Sequence, residues 1–299
     1  MKKTLITFIL FLLVTITWGT TWIAMKLAVQ TIPPLFATGS RFLLISPILL
    51  FLSLYNKKPL IFPKGLKKLQ IFISIFYFII PFSLMLYSGY YVDSSISAII
   101  FSTMPIIILL CSCIFLKKKI NKIQITGLII SLISLFIMIT KEILKGGKFQ
   151  LIGIISLMLA AISHSCVYIK CKQKCKNISI ITFNTLSSLL SGILLILTSL
   201  LFEHPIIKNF SLLSIISIIY LSIFSGLCGI LSYFYLQKIV NSFNASIVFL
   251  IFPIIACIIE NYIYRTSFSV HKFSQIFPLF LGILITLIPK KFYKKIIKI

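Results

Sequence analysis

Few residues of this chain can do chemistry in apolar surroundings, and they stand far apart in sequence. Trp18, Thr20 and Trp22 surround Gly19 in the first apolar run. Together they offer a ligand aromatic surface and hydroxyl hydrogen bonds. Trp18 lies about 14 residues into that run, roughly 20 Å at 1.5 Å per residue, past the midplane of a bilayer. The competing reading makes Trp22 an interfacial belt residue and Gly19 and the threonines packing residues. His164 is the titratable group well inside an apolar run, and an ionisable residue at that depth is a functional hypothesis by default. Its alternative is a neutral imidazole bonded to a neighbouring carbonyl. Arg41 can hold a substrate carboxylate through paired N–H donors, or snorkel to an interface and pair with an acid. Lys26 offers a weaker version of the same. Tyr87 and Tyr235 are gate candidates or interfacial anchors, and Glu260 is placed to pair with Arg265.

Catalytic and metal-binding patterns are missing. The sequence has no Walker loop, no H-E-x-x-H, no G-x-S-x-G and no cluster of carboxylates. No cofactor is expected, and a self-contained ATP-driven pump is disfavoured. Of the seven cysteines, Cys111, Cys113, Cys166, Cys228 and Cys257 sit in apolar runs, where cysteine behaves as a small hydrophobe. Cys171 and Cys175 have C-x3-C spacing, but no histidine or second pair stands nearby, so no metal site is expected.

The elements that must position these residues follow from composition. Of 299 residues, 59% are hydrophobic and only 11% charged, with a mean hydropathy of +1.12. A soluble domain carries about 25% charged residues, so this composition excludes a soluble enzyme, a nucleic-acid module and a disordered tail. An all-α integral membrane protein remains. A helical span needs roughly 20 residues, so the length fits about ten spans with no room for a soluble domain. Apolar runs place the spans at about 4–25, 35–55, 69–90, 95–116 and 123–140, then 149–169, 178–201, 211–236, 244–264 and 272–289. Lys2 and Lys3 before the first run mimic a signal peptide. No small-residue cleavage site follows, and the run reads as a retained span. Residues 290–299 form a basic tail.

The net charge is +25, and all of the 29 basic residues except Arg41 and Arg265 are lysine. The charges sit in short loops, where they orient the chain and meet anionic headgroups; no nucleic-acid partner is implied. With the N-terminus in the cytoplasm, the cytoplasmic loops receive 21 of those 29 residues and the opposite side 8. That asymmetry predicts an inner-membrane protein with both termini cytoplasmic. Asp93, Glu142, Glu203 and Glu260 all fall at or near the outer side.

The chain also repeats. Shifted by 148 residues, Tyr87 falls on Tyr235, Phe101 on Phe249 and Pro105 on Pro253. Five spans per copy is an odd number, so the copies (4–140 and 149–289) must cross the membrane in opposite senses. Inverted repeats are typical of transporters that work by alternating access, with the substrate held near the midplane. Pro105 and Pro253, matched by the repeat, are hinge candidates.

Trp18-Gly19-Thr20-Thr21-Trp22, then Lys26, Pro33, Pro34, Phe36 and Arg41-Phe42, resemble the opening of the EamA family of the drug/metabolite transporter superfamily. Tyr87-Ser88-Gly89, Ala98, Pro105, Gln124 and Gly127 continue the pattern. Tyr220-Leu221, Tyr233 to Leu236, Ala245, Pro253 and Gly282 repeat it. The resemblance covers nearly the whole chain. It implies ten helices in two inverted five-helix repeats, a central cavity, and movement of small metabolites, amino acids or related compounds, often outward. Two departures stand out. Where the family often has Glu after spans 4 and 9, this chain has Lys118 and Thr266, and a tryptophan common early in the second repeat is replaced near His164. With almost no carboxylate at mid-depth, the expectation is a facilitator or exchanger, or coupling through His164. The expected partners are a small-molecule substrate and the lipid bilayer, with a homodimer left open. The alternatives are a multidrug exporter of lipophilic cations, which would be expected to use a buried carboxylate, and a non-transporting membrane scaffold, which would need no inverted repeat.

Overall fold

A computed structural model describes residues 2–175, 177–240, 242–265 and 270–288, and these are helical apart from short connections, with no strand among them. The first five helices are α1 (Thr4–Ala28), α2 (Pro34–Tyr55), α3 (Lys67–Ser88), α4 (Ser94–Leu116) and α5 (Lys122–Leu144). Then follow α6 (Gly146–Lys174), α7 (Ile180–Phe202), α8 (Leu212–Ile239) and α9 (Asn244–Tyr264). All nine are long and apolar enough to cross a membrane. The tenth, α10 (Val270–Leu287), has its described apolar stretch at Ile276–Leu287. Thr266 and the basic tail lie outside the described residues.

The helix starts are set locally. Pro34 opens α2 with its φ already helical and no N–H to satisfy. Asn121 and Gln124 form a reciprocal capping box at α5, and the hydroxyls of Ser179 and Ser211 cap α7 and α8. At the start of α6 the chain kinks at Gly147, whose φ of +62° is free of steric cost only for glycine. Helix α6 runs past its expected end at 169, so Lys170, Lys172 and Lys174 are helical rather than loop residues. Lysine is a good helix former, and cations in the last turn complement the helix dipole.

Both halves carry the same irregularity. Residues Ser74–Ile79 of α3 and Leu221–Gly229 of α8 are π-helical. The 148-residue shift maps the first segment into the second. Helix α4 is interrupted at Thr103, just before Pro105, whereas α9 is interrupted at Ile247 and continues helically through Pro253. The two matched prolines therefore do not sit at matched breaks.

Each half packs against the other through equivalent helices. Gly39 of α2 abuts Ile196 of α7, and Gly192 of α7 abuts Leu43 of α2. Gly127 and Ser131 of α5 face Gly282 and Thr286 of α10, a small-residue crossing that brings the backbones together. The first helix of each half is held by the other half. Helix α1 lies against α8 and α9 through Thr20–Tyr220, Thr21–Ser225 and Gly19–Ile255. Helix α6 lies against α3 and α4, where Ser163 Oγ donates to the Phe76 carbonyl and Cys166 meets Cys111. Large apolar side chains such as Leu5, Phe51, Phe136, Leu197 and Ile258 point outward, as a lipid-facing belt requires.

The α5–α10 crossing has no room for a side chain. A Cβ on Gly127 would fall 2.7 Å from the Gly282 carbonyl oxygen and 2.6 Å from Thr286 Oγ1. Gly127→Val is expected to destabilise the detergent-solubilised protein by about 1–3 kcal/mol, the usual cost of overpacking. A melting curve checks this, and an unchanged midpoint would mean that the crossing is looser than described.

Candidate functional site: a central cavity open at one end

A cavity of about 740 Å³ runs between the two halves. Trp18, Thr21, Trp22 and Met25 form one stripe of α1, spaced i, i+3, i+4, i+7, and all four line it. The two π-helical segments each contribute: Tyr77 and Phe78 from α3, Ser225 from α8. A π turn shifts the register of a helix face, and such segments are often found at functional sites. Tyr77 and Ser225 are separated by the 148-residue repeat, so the same irregularity serves the cavity from both sides. Arg41, Phe82, Phe101, His164, Tyr233 and Phe249 complete the inner wall.

The aromatic side chains pack on one another and fix the shape. The Trp18 ring meets those of Tyr233 and Phe249 at centroid distances of 4.7 and 5.7 Å, and Trp22 meets Phe101 at 5.3 Å. Arg41 is 3% exposed, and its guanidinium lies 4.8 Å from the centre of the Phe82 ring. Its Nη2 donates to Ser225 Oγ at 3.4 Å, and that hydroxyl is 2.6 Å from Thr21 Oγ1. His164 is 6% exposed, enclosed by Tyr77, Phe82 and Phe101. The backbone of Tyr77 lies close enough to interact with it, but neither ring nitrogen makes a hydrogen bond of good geometry.

One end of the cavity is open. Its wall continues past Leu109 and Ser112 to Lys118, Gln124, Lys172, Gln237 and Thr286, at the end of the bundle where α4 stops and α5 starts. Lys118 and Lys172 are exposed there. In the other direction the lining stops at Met25, Arg41 and Met85.

The opposite end is sealed by carboxylates. Glu203, after α7, accepts from the backbone N–H of Leu35 and of Phe36 at 2.9 and 3.0 Å. Glu260, on α9, accepts from the N–H of Ser94 and of Ser95 at 2.8 and 3.1 Å, and from Ser94 Oγ at 2.6 Å. Each side chain from the second half thus forks onto the free N–H groups opening its counterpart helix in the first half, α2 or α4. A negative charge is favoured there by the helix dipole. Lys26 ties the seal together, with Nζ 2.6 Å from Asp93 and 3.9 Å from Glu260.

Of the residues singled out from sequence, Trp18, Trp22, Arg41 and His164 come together in the cavity wall, and so does Pro105. Trp22, at 4% exposure, is no interfacial belt residue. Thr20 faces away from the cavity and bonds the Tyr220 hydroxyl; one residue on, Thr21 faces in, because a helix turns about 100° per residue. Tyr87 is at the sealed end with Tyr90 and Tyr91. Tyr235 is 53% exposed, and Tyr233 holds the cavity position instead. Pro253 does not line the cavity. Lys26 pairs with Asp93 rather than facing the cavity, and Glu260 meets α4 and Lys26 rather than Arg265. Lys118 is at the mouth. Sequence reasoning missed Thr21, Ser225 and Glu203 as working residues. The i, i+3, i+4 stripe from Trp18 would have found Thr21, but no local pattern announces the other two. No group of His, Cys, Asp or Glu among the described residues is arranged to hold a metal.

Comparison with known proteins gives a consistent picture. The EamA-like transporter family matches residues 5–140 and 151–288. An uncharacterized transporter of Buchnera aphidicola subsp. Schizaphis graminum is 56% identical over 98% of this chain and 98% of its own length. Protein PagO of Salmonella typhimurium is 46% identical over 94% of this chain and 93% of its own. A crystal structure shares the fold, with a TM-score of 0.66 over 99% of this chain and 98% of that one at 13% identity.

The seal predicts the effect of neutralising it. Glu260→Gln removes the charge from three hydrogen bonds, and charge-assisted bonds are roughly twice as strong as neutral ones. Cys257, buried one turn away on α9, is then expected to be alkylated several-fold faster by a water-soluble maleimide. An unchanged rate would mean that Glu260 does not hold this end closed.

Proposed function

The chain belongs to the EamA-like transporter family, and from that premise we propose that it is an inner-membrane permease that moves small metabolites outward by alternating access. As a member of that family it is a multi-pass membrane transporter. The proposal adds the cargo, amino acids or related compounds, the direction and the orientation. The observation that carries it is the asymmetry of the cavity: open between the halves at one end, closed by Glu203, Glu260 and Lys26 at the other. In an alternating-access cycle this is one of two end states.

The lysine asymmetry supports an open end facing the cytoplasm, with both termini on that side. The cavity then loads from the cytoplasm, as an outward permease requires. Release needs the Glu203 and Glu260 forks to break while the mouth between Lys118 and Lys172 narrows. The interruption of α4 at Thr103, beside Pro105 in the cavity wall, supplies backbone groups outside regular helix bonding where that bend can be absorbed. Transport needs no covalent step: the aromatic wall binds the apolar body of a substrate, and Thr21, Ser225, His164 and Arg41 meet its polar groups.

The test is release from proteoliposomes loaded with a mixed metabolite extract, read by mass spectrometry beside empty liposomes. Selective escape of a few compounds is expected, slowed by roughly tenfold in Trp18→Ala, the scale of one lost aromatic contact. Selective escape of lipophilic cations would favour a multidrug exporter. Retention of every compound by folded protein, with and without ion gradients, would favour a scaffold.

A further inference from the structure

We propose that the cavity selects anionic substrates, and that Arg41 is the residue that binds their carboxylate or an equivalent negative group. This deepens the proposed function and rests on the reading of the cavity as the transport site. The first observation is charge. No Asp or Glu lines the cavity among the described residues, whereas Arg41, Lys118 and Lys172 do. The four acids of the whole sequence are Asp93, Glu142, Glu203 and Glu260, in or near the loops of the sealed end. A channel lined by one sign of charge between apolar walls concentrates the opposite sign and repels its own.

The second observation is geometry. Arg41 is buried with its Nη1 unpartnered, and its Nη2 is engaged by a hydroxyl rather than a carboxylate. A guanidinium with no counter-ion in apolar surroundings is costly unless water or a ligand reaches it, and this one stands at the inner limit of the open cavity. Phe82 supports its face, so its donors are held in place. One carboxylate oxygen is suited to Nη1, while the other lies within reach of the linked hydroxyls of Ser225 and Thr21. Against the same Phe82 ring, His164 presents two ring nitrogens that make no hydrogen bond of good geometry. They suit a neutral donor or acceptor on the same ligand, such as an amide or a hydroxyl. Trp18, Trp22 and Phe101 provide surface for a flat apolar body. The ligand class is therefore a small organic molecule with a carboxylate or equivalent negative group and an aromatic or other planar apolar part.

The chain has two tryptophans, Trp18 and Trp22, and both line the cavity. Intrinsic fluorescence of the full-length protein in detergent therefore reports cavity occupancy directly. The probes are three quenchers of one shape: 4-nitrobenzoate, 4-nitrobenzamide and 4-nitrobenzylamine. Saturable quenching by the benzoate is expected, with affinity roughly 10- to 100-fold above the amide and little binding of the amine, the scale of a charge-assisted hydrogen bond. Arg41→Gln is expected to abolish the preference for the benzoate over the amide while the amide still binds, and Arg41→Lys to keep part of it. Benzoate binding no tighter than amide, an amine that binds best, a preference that survives Arg41→Gln, or no saturable quenching by the benzoate would each overturn the assignment. The readout needs no transport. Anion-selective quenching without release from proteoliposomes would defeat the permease reading alone, and release of compounds that carry no carboxylate or other negative group would defeat the anion reading alone.

Discussion

Inside a bilayer, the free N–H groups at the start of a helix must find partners without water. At one end of this protein Glu203 and Glu260 meet that demand across the boundary between the halves. Each carboxylate reaches from the second half to two backbone N–H groups of its counterpart helix in the first. The rest of the structure follows from where these contacts are made. They close one end of the bundle, and they leave the cavity to open at the other, where Lys118 and Lys172 stand. The bonds are few, specific and charge-assisted, and they stand beside buried apolar side chains such as Val29, Ile32 and Val92 that pack the same end.

The same placement sets the electrostatics of the cavity. Of the four acids, two cap α2 and α4, a third holds Lys26 and the fourth, Glu142, lies near the end of α5; none lines the interior wall among the described residues. Arg41 is left in the cavity wall, buried, with aromatic rings and hydroxyls as neighbours. His164 packs against the same phenylalanine. In a low-dielectric surround these polar atoms gain more from a ligand than they would at a surface. The closed end and the anion-attracting cavity are thus two consequences of one distribution of charge.

Much of the architecture was legible in the sequence because it rests on patterns that physics imposes locally. Runs of about twenty apolar residues can only be spans, and a five-helix repeat can only be inverted. Trp18 and Trp22 fall in the cavity because they share one stripe of α1, and Arg41 and His164 because polar groups at that depth need a polar place to be. What the sequence could not reveal depends on contacts between distant segments. Glu260 has Arg265 five residues away, yet its partners Ser94 and Ser95 lie more than 160 residues back. Thr20 and Thr21 are alike in type, and only the register of α1 against α8 decides which meets the cavity. Tyr87 and Tyr235 match in the repeat, but the halves face opposite ends of the bundle, so one meets the sealed-end loops and the other lies outside the cavity wall.

The central claim is that the sealed and open ends exchange. Paired spin labels, with one label on each half, test it directly by pulsed dipolar spectroscopy in lipid nanodiscs. One pair, at positions 118 and 172, reports the mouth; the other, at 90 and 208, reports the sealed end. On adding a mixed metabolite extract, the mouth pair should gain a shorter-distance population while the sealed-end pair gains a longer one, in matching proportion. Two distributions that stay fixed, or that lengthen and shorten together, would contradict alternating access.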